Sequence, residues 1–179
     1  MKKLIILAVV LLITACGEKP AEKQETPKNK SAFDVNSIFT KEEIKGAMSI
    51  IEAKKTAKVG ESIIIKGEIG GKKKVFGESI ATFLICDPTK VTSCDKKEGD
   101  DCETPWDYCC HDSDEIAGAM ATVKLTDENG KILKINAKGK GGLKELSNII
   151  IKGKVAKGSV DGVLIITAES IYIEIETGK

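Results

Sequence analysis

Two seven-residue segments of this chain are almost the same, and they restrict the fold more than any other feature. Residues 63–69 read IIIKGEI and residues 149–155 read IIIKGKV. Such isoleucine-rich runs are typical of β-strands with one face buried and the other mostly in water. Gly67 and Gly153 occupy the same position in the two segments, and a glycine within a strand marks a bulge or the sharp bend of a small closed barrel. Two copies are too few for a solenoid, so the pair predicts two strands in similar surroundings.

A helix is predicted before the first of these strands. Thr40 is placed as its N-cap, and Glu43 completes a capping box. The apolar residues after Glu43 recur at helical spacing, which is typical of one stripe packed on a core. They are Ile44, Ala47, Met48 and Ile51. We expect this helix to end at or before Gly60.

The rest of the chain adds strands and turns. A short helical turn is predicted at 143–146, between the third and fourth strands. Before it, the Asn129-Gly130 pair is a hairpin signal that leads into a further extended segment at 131–137. The five main strands are predicted at 63–69, 79–86, 119–125, 149–155 and 163–168, the last continuing through 171–175.

This order of elements resembles the OB-fold, the five-stranded Greek-key barrel. The resemblance covers roughly residues 59–176 and rests on the strand order, on the two strand glycines and on the helical turn. The fold expected is mainly β, with an N-terminal helix and a long Cys-rich insertion at 87–117 between strands two and three. Residues 104–110, TPWDYCC, also resemble a motif of uncharacterised secreted bacterial proteins with OB-like domains. That second resemblance implies no activity.

The N-terminus has the layout of an export signal. Two lysines precede an apolar run over residues 4–13 that is too short for an ordinary membrane-spanning helix. The run ends in Ile-Thr-Ala-Cys-Gly, which resembles the bacterial lipoprotein box and implies that Cys16 is acylated after residues 1–15 are removed. The alternative is a plain secretory signal with a chance cysteine. By resemblance to enterobacterial sorting, Gly17 rather than Asp implies the outer membrane, on its periplasmic face, where the host has one.

The composition of the chain after residue 15 predicts a tether and limits the classes of partner that the protein can bind. Residues 16–38 are rich in lysine, glutamate and proline, which predicts a flexible tether to one folded domain at 39–179. The chain carries a formal charge of +1, and loss of the two leader lysines leaves −1. All 28 basic residues are lysine, so the planar fork with which arginine binds phosphate is missing. Charge and composition therefore argue against nucleic acid as a partner.

One stretch concentrates the unusual chemistry. Residues 86–111 hold five of the six cysteines, the only tryptophan and the only histidine. Residues 98–115 contain many acidic residues and no lysine. A segment with so few aliphatic side chains cannot order itself by burying apolar surface. We therefore expect that covalent or metal cross-links hold it, and that without them it is disordered.

Three chemistries suit these cysteines. Disulfides are permitted in an exported chain, and five mature cysteines allow at most two bridges and leave one thiol. Zinc is the second, because the stretch supplies enough sulfur and nitrogen donors for a tetrahedron. The candidate metal ligands are Cys94, Cys102, Cys109, Cys110 and His111. A catalytic or redox centre is the third, although no C-x-x-C pair is present and neighbouring acids disfavour thiolate.

These observations predict a binding protein rather than an enzyme. Trp106, Asp107 and Tyr108 are candidate recognition residues, with packing under the loop as the alternative for the two aromatic side chains. No catalytic residue is predicted. We expect a lipid-anchored envelope protein whose OB-like barrel binds a protein or small ligand, with the cross-linked acidic loop as recognition element. The alternative is a metal-binding envelope protein that holds zinc or copper at the Cys/His cluster.

Overall fold

The structure, a computed structural model, describes residues 33–99, 101–160 and 162–175. The predicted signal peptide, Cys16 and most of the predicted tether lie outside these ranges. None of the helices within the described ranges has the length and apolar character needed to cross a bilayer. The helices and strands are β1 (Phe39–Thr40), α1 (Ile50–Thr56), β2 (Ser62–Ile69), β3 (Thr82–Cys86), α2 (Ser113–Ala119), β4 (Met120–Lys124), β5 (Asn148–Val155) and β6 (Leu164–Ile173).

Five of the strands close into a mixed β-barrel. The order around the ring is β6, β4, β3, β2, β5 and back to β6. The β4–β6 pair is parallel, and the other four pairs in the ring are antiparallel. Strand β1 adds a short parallel pair to β6. The mainly β class is thus confirmed, and the ring is consistent with the predicted OB-like barrel.

A bulge at Gly153 helps the ring to close. The pairing of β5 with β6 shifts register between Lys152 and Gly153. A Cβ atom at Gly153 would lie 2.9 Å from Ile166 Cγ2 and closer still to the carbonyl oxygen of Thr167. Only glycine lets the two backbones approach this closely. Of the two features that a strand glycine predicts, a bulge or a sharp bend, the register shift at Gly153 indicates the bulge.

The barrel interior is filled by the apolar faces of its own strands. The largest of its side chains are almost fully shielded from water, and burial of each contributes roughly 1.5–3 kcal/mol. They include Ile65, Ile69, Phe83, Ile85, Ile149, Ile151, Ile166 and Ile171. All of these side chains belong to the barrel strands, and none comes from the Cys-rich stretch.

The first helix starts later than the capping box predicts. Helix α1 begins at Ile50, and the Ser49 hydroxyl caps it by accepting a hydrogen bond from the Glu52 amide at 3.2 Å. Thr40 lies instead in β1. Two features explain the difference. Gly46 has a φ of +84°, and Met48 exchanges backbone hydrogen bonds with β2, so its backbone groups are used in sheet pairing.

The segment between β4 and β5 also differs from the prediction. Residues 131–137 form no strand and contribute one isolated bridge, between Thr126 and Ile132. The predicted helical turn at 143–146 is replaced by a 3-10 turn at Lys140–Gly142. Leu143 is fully buried in the main core. Packing of this side chain, and not a helical turn, fixes the segment that follows Gly142. The turn at Asn129-Gly130 is present, with Gly130 at φ +76°.

Candidate functional site

Thirty-three residues, 87–119, connect β3 to β4, and we call them the Cys-rich loop. Tyr108 anchors the loop to the barrel from the inside. Its side chain is fully buried, and its hydroxyl donates to Glu68 Oε1 of β2 at 2.7 Å. Lys96, from the other half of the loop, forms an ion pair with Glu68 Oε2. A single buried carboxylate therefore receives a hydrogen bond and an ion pair from two separate parts of the loop.

Trp106 makes the second contact between the loop and the barrel. Its indole Nε1 donates to the Lys73 carbonyl at 3.2 Å, and the half-buried ring packs against the main core. The Trp106 carbonyl accepts a hydrogen bond from Gly71 at 2.8 Å. Gly70, next to it, leaves the space that the Tyr108 ring occupies. The TPWDYCC motif is thus seated on the barrel by its two aromatic residues.

Asp87 fixes the start of the loop against α1. The buried carboxylate accepts hydrogen bonds from the Ile51 amide at 3.0 Å and from the Thr89 amide and hydroxyl at 3.0 and 2.7 Å. Burial alone would raise the pKa of Asp87, but the hydrogen bonds, led by that of the Thr89 hydroxyl, outweigh it and lower the pKa. The carboxylate therefore stays ionised and links loop and helix.

Three cysteine sulfurs and one carboxylate meet in the outer part of the loop. Cys109 Sγ lies 3.5 Å from the Sγ atoms of both Cys94 and Cys102. With one carboxylate oxygen of Asp107, the three sulfurs form a group in which all atoms lie within 4.8 Å of one another. Cys110 Sγ is 3.7 Å from Cys94 Sγ but is not a member of that group.

The spacing of these sulfurs is compatible with metal coordination and excludes a disulfide between them in this structure. Zinc–sulfur bonds of about 2.3 Å in a tetrahedron place the sulfurs roughly 3.8 Å apart, whereas the sulfurs of a disulfide are about 2.05 Å apart. The two 3.5 Å separations are close to the first value. The group Cys94, Cys102, Asp107 and Cys109 could therefore hold a metal ion.

Three of the cysteine thiols, those of Cys86, Cys94 and Cys109, have raised pKa values. Burial raises the pKa of Cys94, and hydrogen bonding with the thiols of Cys102 and Cys94 raises the pKa of Cys109. Burial, followed by the charge of Glu68, raises the pKa of Cys86 to about 12. A protonated thiol is a poor nucleophile. These three cysteines are therefore suited to packing or to metal binding, in which the ion displaces the proton.

The structure does not bring His111 to the sulfurs, although the sequence places it among the candidate ligands. Its Nε2 accepts from the Thr92 amide at 3.1 Å, and its Nδ1 lies 2.9 Å from Glu115 Oε2. Since Nε2 accepts, Nδ1 carries the proton and donates to Glu115. Both ring nitrogens are used within the loop, and His111 is not in the group of four.

Two functional residues play parts that the sequence did not reveal. Asp107 is a candidate recognition residue by sequence, yet its carboxylate lies among the sulfurs. The sequence feature that could have indicated this contact is its position two residues before Cys109. Glu68 is the anchor of the loop, and its place on the alternating β2 strand suggested a solvent-facing side chain. Tyr108, the third recognition candidate, is buried and supports the loop from below.

The outer surface of the loop is strongly acidic. Tyr108 and Cys94 are buried, while seven acidic side chains in the described part of the loop remain exposed to water. The exposed acidic residues are Asp95, Glu98, Asp101, Glu103, Asp112, Asp114 and Glu115. A loop that is held from inside and charged outside presents a fixed negative surface.

No protein-family model matches this chain, and no curated protein matches it. Its function is therefore inferred from the residues of the loop and their geometry.

Proposed function

We propose that this chain is a lipid-anchored, non-enzymatic envelope protein, in which an OB-like Greek-key barrel binds a protein or small ligand. In this proposal the Cys-rich loop is an insertion between the second and third strands of the barrel and acts as the recognition element. The observation that carries it is the anchoring of the loop by Tyr108 and Lys96 on buried Glu68. This anchoring supports a fixed acidic surface, which suits a basic partner and repels nucleic acid.

The recognition role can be tested by photo-crosslinking in the intact envelope. A photoreactive residue at exposed Glu103 of the loop is expected to capture a partner. The control is the same residue at exposed Lys131, in the turn between β4 and β5. An adduct that forms at Glu103 and not at Lys131 supports the loop as recognition element. Equal adducts at both positions, or none at Glu103, would contradict it.

Lipid anchoring rests on the sequence that ends in Ala15-Cys16. Three acyl chains on one residue, which the lipoprotein resemblance implies, exceed the two signals that stable anchoring needs. We predict that Cys16→Ser abolishes labelling of the chain with a fatty-acid analogue and blocks removal of the leader. A variant that is still processed and held on the membrane would show that the anchor is elsewhere.

A second candidate function is metal binding, which the sulfur spacing favours. Zinc is the simplest ion for a tetrahedral site rich in thiolates, and copper is the alternative. Protein purified without chelator is expected to contain one zinc ion per chain by elemental analysis. Substoichiometric metal, with two disulfides found by mass spectrometry of the unreduced chain, would show that the loop is cross-linked covalently instead.

A further inference from the structure

We infer that the thiolates of Cys94, Cys102 and Cys109 and the carboxylate of Asp107 form one closed zinc site that orders the Cys-rich loop. This inference rests on the second candidate function, metal binding. It adds which atoms bind the ion, which ion they select and what the site does. Cys110 and His111 directly follow Cys109 in the sequence, but they are outside the coordination sphere.

The positions of the three sulfurs come from two distant parts of the loop. Cys94 begins a 3-10 turn in the first half, and its side chain is buried. Cys102 and Cys109 flank the 3-10 turn Pro105–Asp107 in the second half. An ion bound by all three joins the two halves, as Lys96 and Tyr108 do from below through Glu68. A bound ion and the buried carboxylate of Glu68 would thus link the same two segments of the loop.

Asp107 is oriented for coordination by hydrogen bonds to both carboxylate oxygens. The Thr104 hydroxyl donates to Oδ2 at 2.8 Å, and the Cys109 amide donates to Oδ1 at 3.0 Å. Each oxygen has two lone pairs, so each keeps one for a metal. Hydrogen bonds that fix a ligating carboxylate in this way are typical of metal sites. Tyr108, with a φ of +57°, turns the chain between Asp107 and Cys109.

The donor set selects zinc over copper. Thiolates suit both Zn²⁺ and Cu⁺, but a carboxylate is a hard ligand that suits zinc better than a soft monovalent copper ion. Four protein ligands also leave no open position for water or substrate, which is the pattern of a structural rather than a catalytic zinc site. The site is therefore a cross-link and performs no chemistry of its own.

Binding is coupled to proton release. Each of the three thiols loses its proton to solvent as its sulfur binds the ion, and Asp107 binds as the carboxylate. Because the thiol protons compete with zinc, the apparent affinity should fall as the pH is lowered. No oxidant or reductant takes part.

Cobalt titration of the reduced full-length chain tests the ligand set, since thiolate-to-cobalt charge transfer and the visible bands of tetrahedral Co²⁺ report the donors directly. Cys94→Ser, Cys102→Ser and Cys109→Ser should each weaken binding by roughly 100-fold or more, and Asp107→Asn by roughly 10–100-fold. Asp107→Cys should bind cobalt with a stronger charge-transfer band, because it adds a thiolate. The matched controls Cys110→Ser and His111→Ala should behave as the parent chain.

The results of the cobalt titration distinguish a wrong ligand set from a chain that binds no metal at all. If the parent chain binds neither cobalt nor zinc under reducing conditions, the metal-binding function itself is wrong. If it binds metal but Cys110→Ser loses it while Asp107→Asn does not, the ligand set is wrong and Cys110 is the fourth donor. Far-ultraviolet circular dichroism of each metal-free variant checks that the barrel is folded.

Discussion

Gly70→Ala is expected to lower the free energy of unfolding by roughly 1–3 kcal/mol, because it overpacks the contact between the barrel and the Cys-rich loop. A Cβ at this position would lie 2.5 Å from Tyr108 Cε2 and 2.7 Å from the carbonyl oxygen of Trp106. Neither atom can move freely. The Tyr108 side chain is fully buried and its hydroxyl donates a hydrogen bond to Glu68. The Trp106 carbonyl accepts a hydrogen bond from the Gly71 amide.

Gly118→Ala is the matched control for this change. Gly118 lies in α2 at the end of the same loop, and a Cβ there would have no atom within 4 Å. The substitution should stabilise the protein by about 0.5–1 kcal/mol through helix propensity. Urea unfolding followed by Trp106 fluorescence measures both variants. Equal stabilities for the two would show that the loop does not press against Gly70.

The alternation of apolar residues was enough to predict most of the barrel. The two IIIKG segments are β2 and β5, which pair with each other over seven residues, and the glycine of the second marks the bulge. Side-chain pattern decides strand position in such cases because the apolar face must be buried. The same rule was insufficient for residues 131–137, where a buried Ala137 and a half-buried Leu133 pack without joining a ladder.

The early helix shows how tertiary contacts override a local signal. The capping box at Thr40 and Glu43 is a valid helix start in isolation. In the folded protein Phe39 and Thr40 pair with Ile171 and Tyr172 of β6 instead. These partners are more than a hundred residues away in sequence, so nothing near Thr40 reports them.

Composition located the candidate site but did not show which side chains come together in it. Clustered cysteines and acids indicated that the loop needs cross-links, and Cys94, Cys102 and Cys109 do converge. Sequence neighbours proved a poor guide to the fourth residue of this group, which is Asp107. His111 follows Cys110 directly, yet its two nitrogens bond to Thr92 and Glu115. Which donors meet depends on the left-handed turn at Tyr108, and such a conformation is uncommon for a tyrosine.

Chelation of any bound metal, together with reduction of any disulfide, is expected to loosen the Cys-rich loop while the barrel stays folded. The barrel strands bury their own isoleucine-rich core, whereas the loop buries few large apolar side chains, mainly Val91 and Tyr108. A disulfide contributes roughly 2–4 kcal/mol to such a segment, and a structural zinc ion can contribute more. Without these cross-links, the half of the loop that contains Asp107 and Cys109 is held by Tyr108 and Trp106, and near its end by the hydrogen bond from Lys54 of α1 to the Ala117 carbonyl.

Trp106 fluorescence, recorded with far-ultraviolet circular dichroism before and after treatment with chelator and reductant, tests most directly whether cross-links order the loop. Trp106 is the only tryptophan, and it lies half-buried between the loop and the barrel. We predict that its emission shifts to longer wavelength while the β-sheet signal is almost unchanged. Loss of the β-sheet signal would show that the cross-links also hold the barrel. Unchanged emission would contradict the prediction, because it would show that neither metal nor disulfides order the loop.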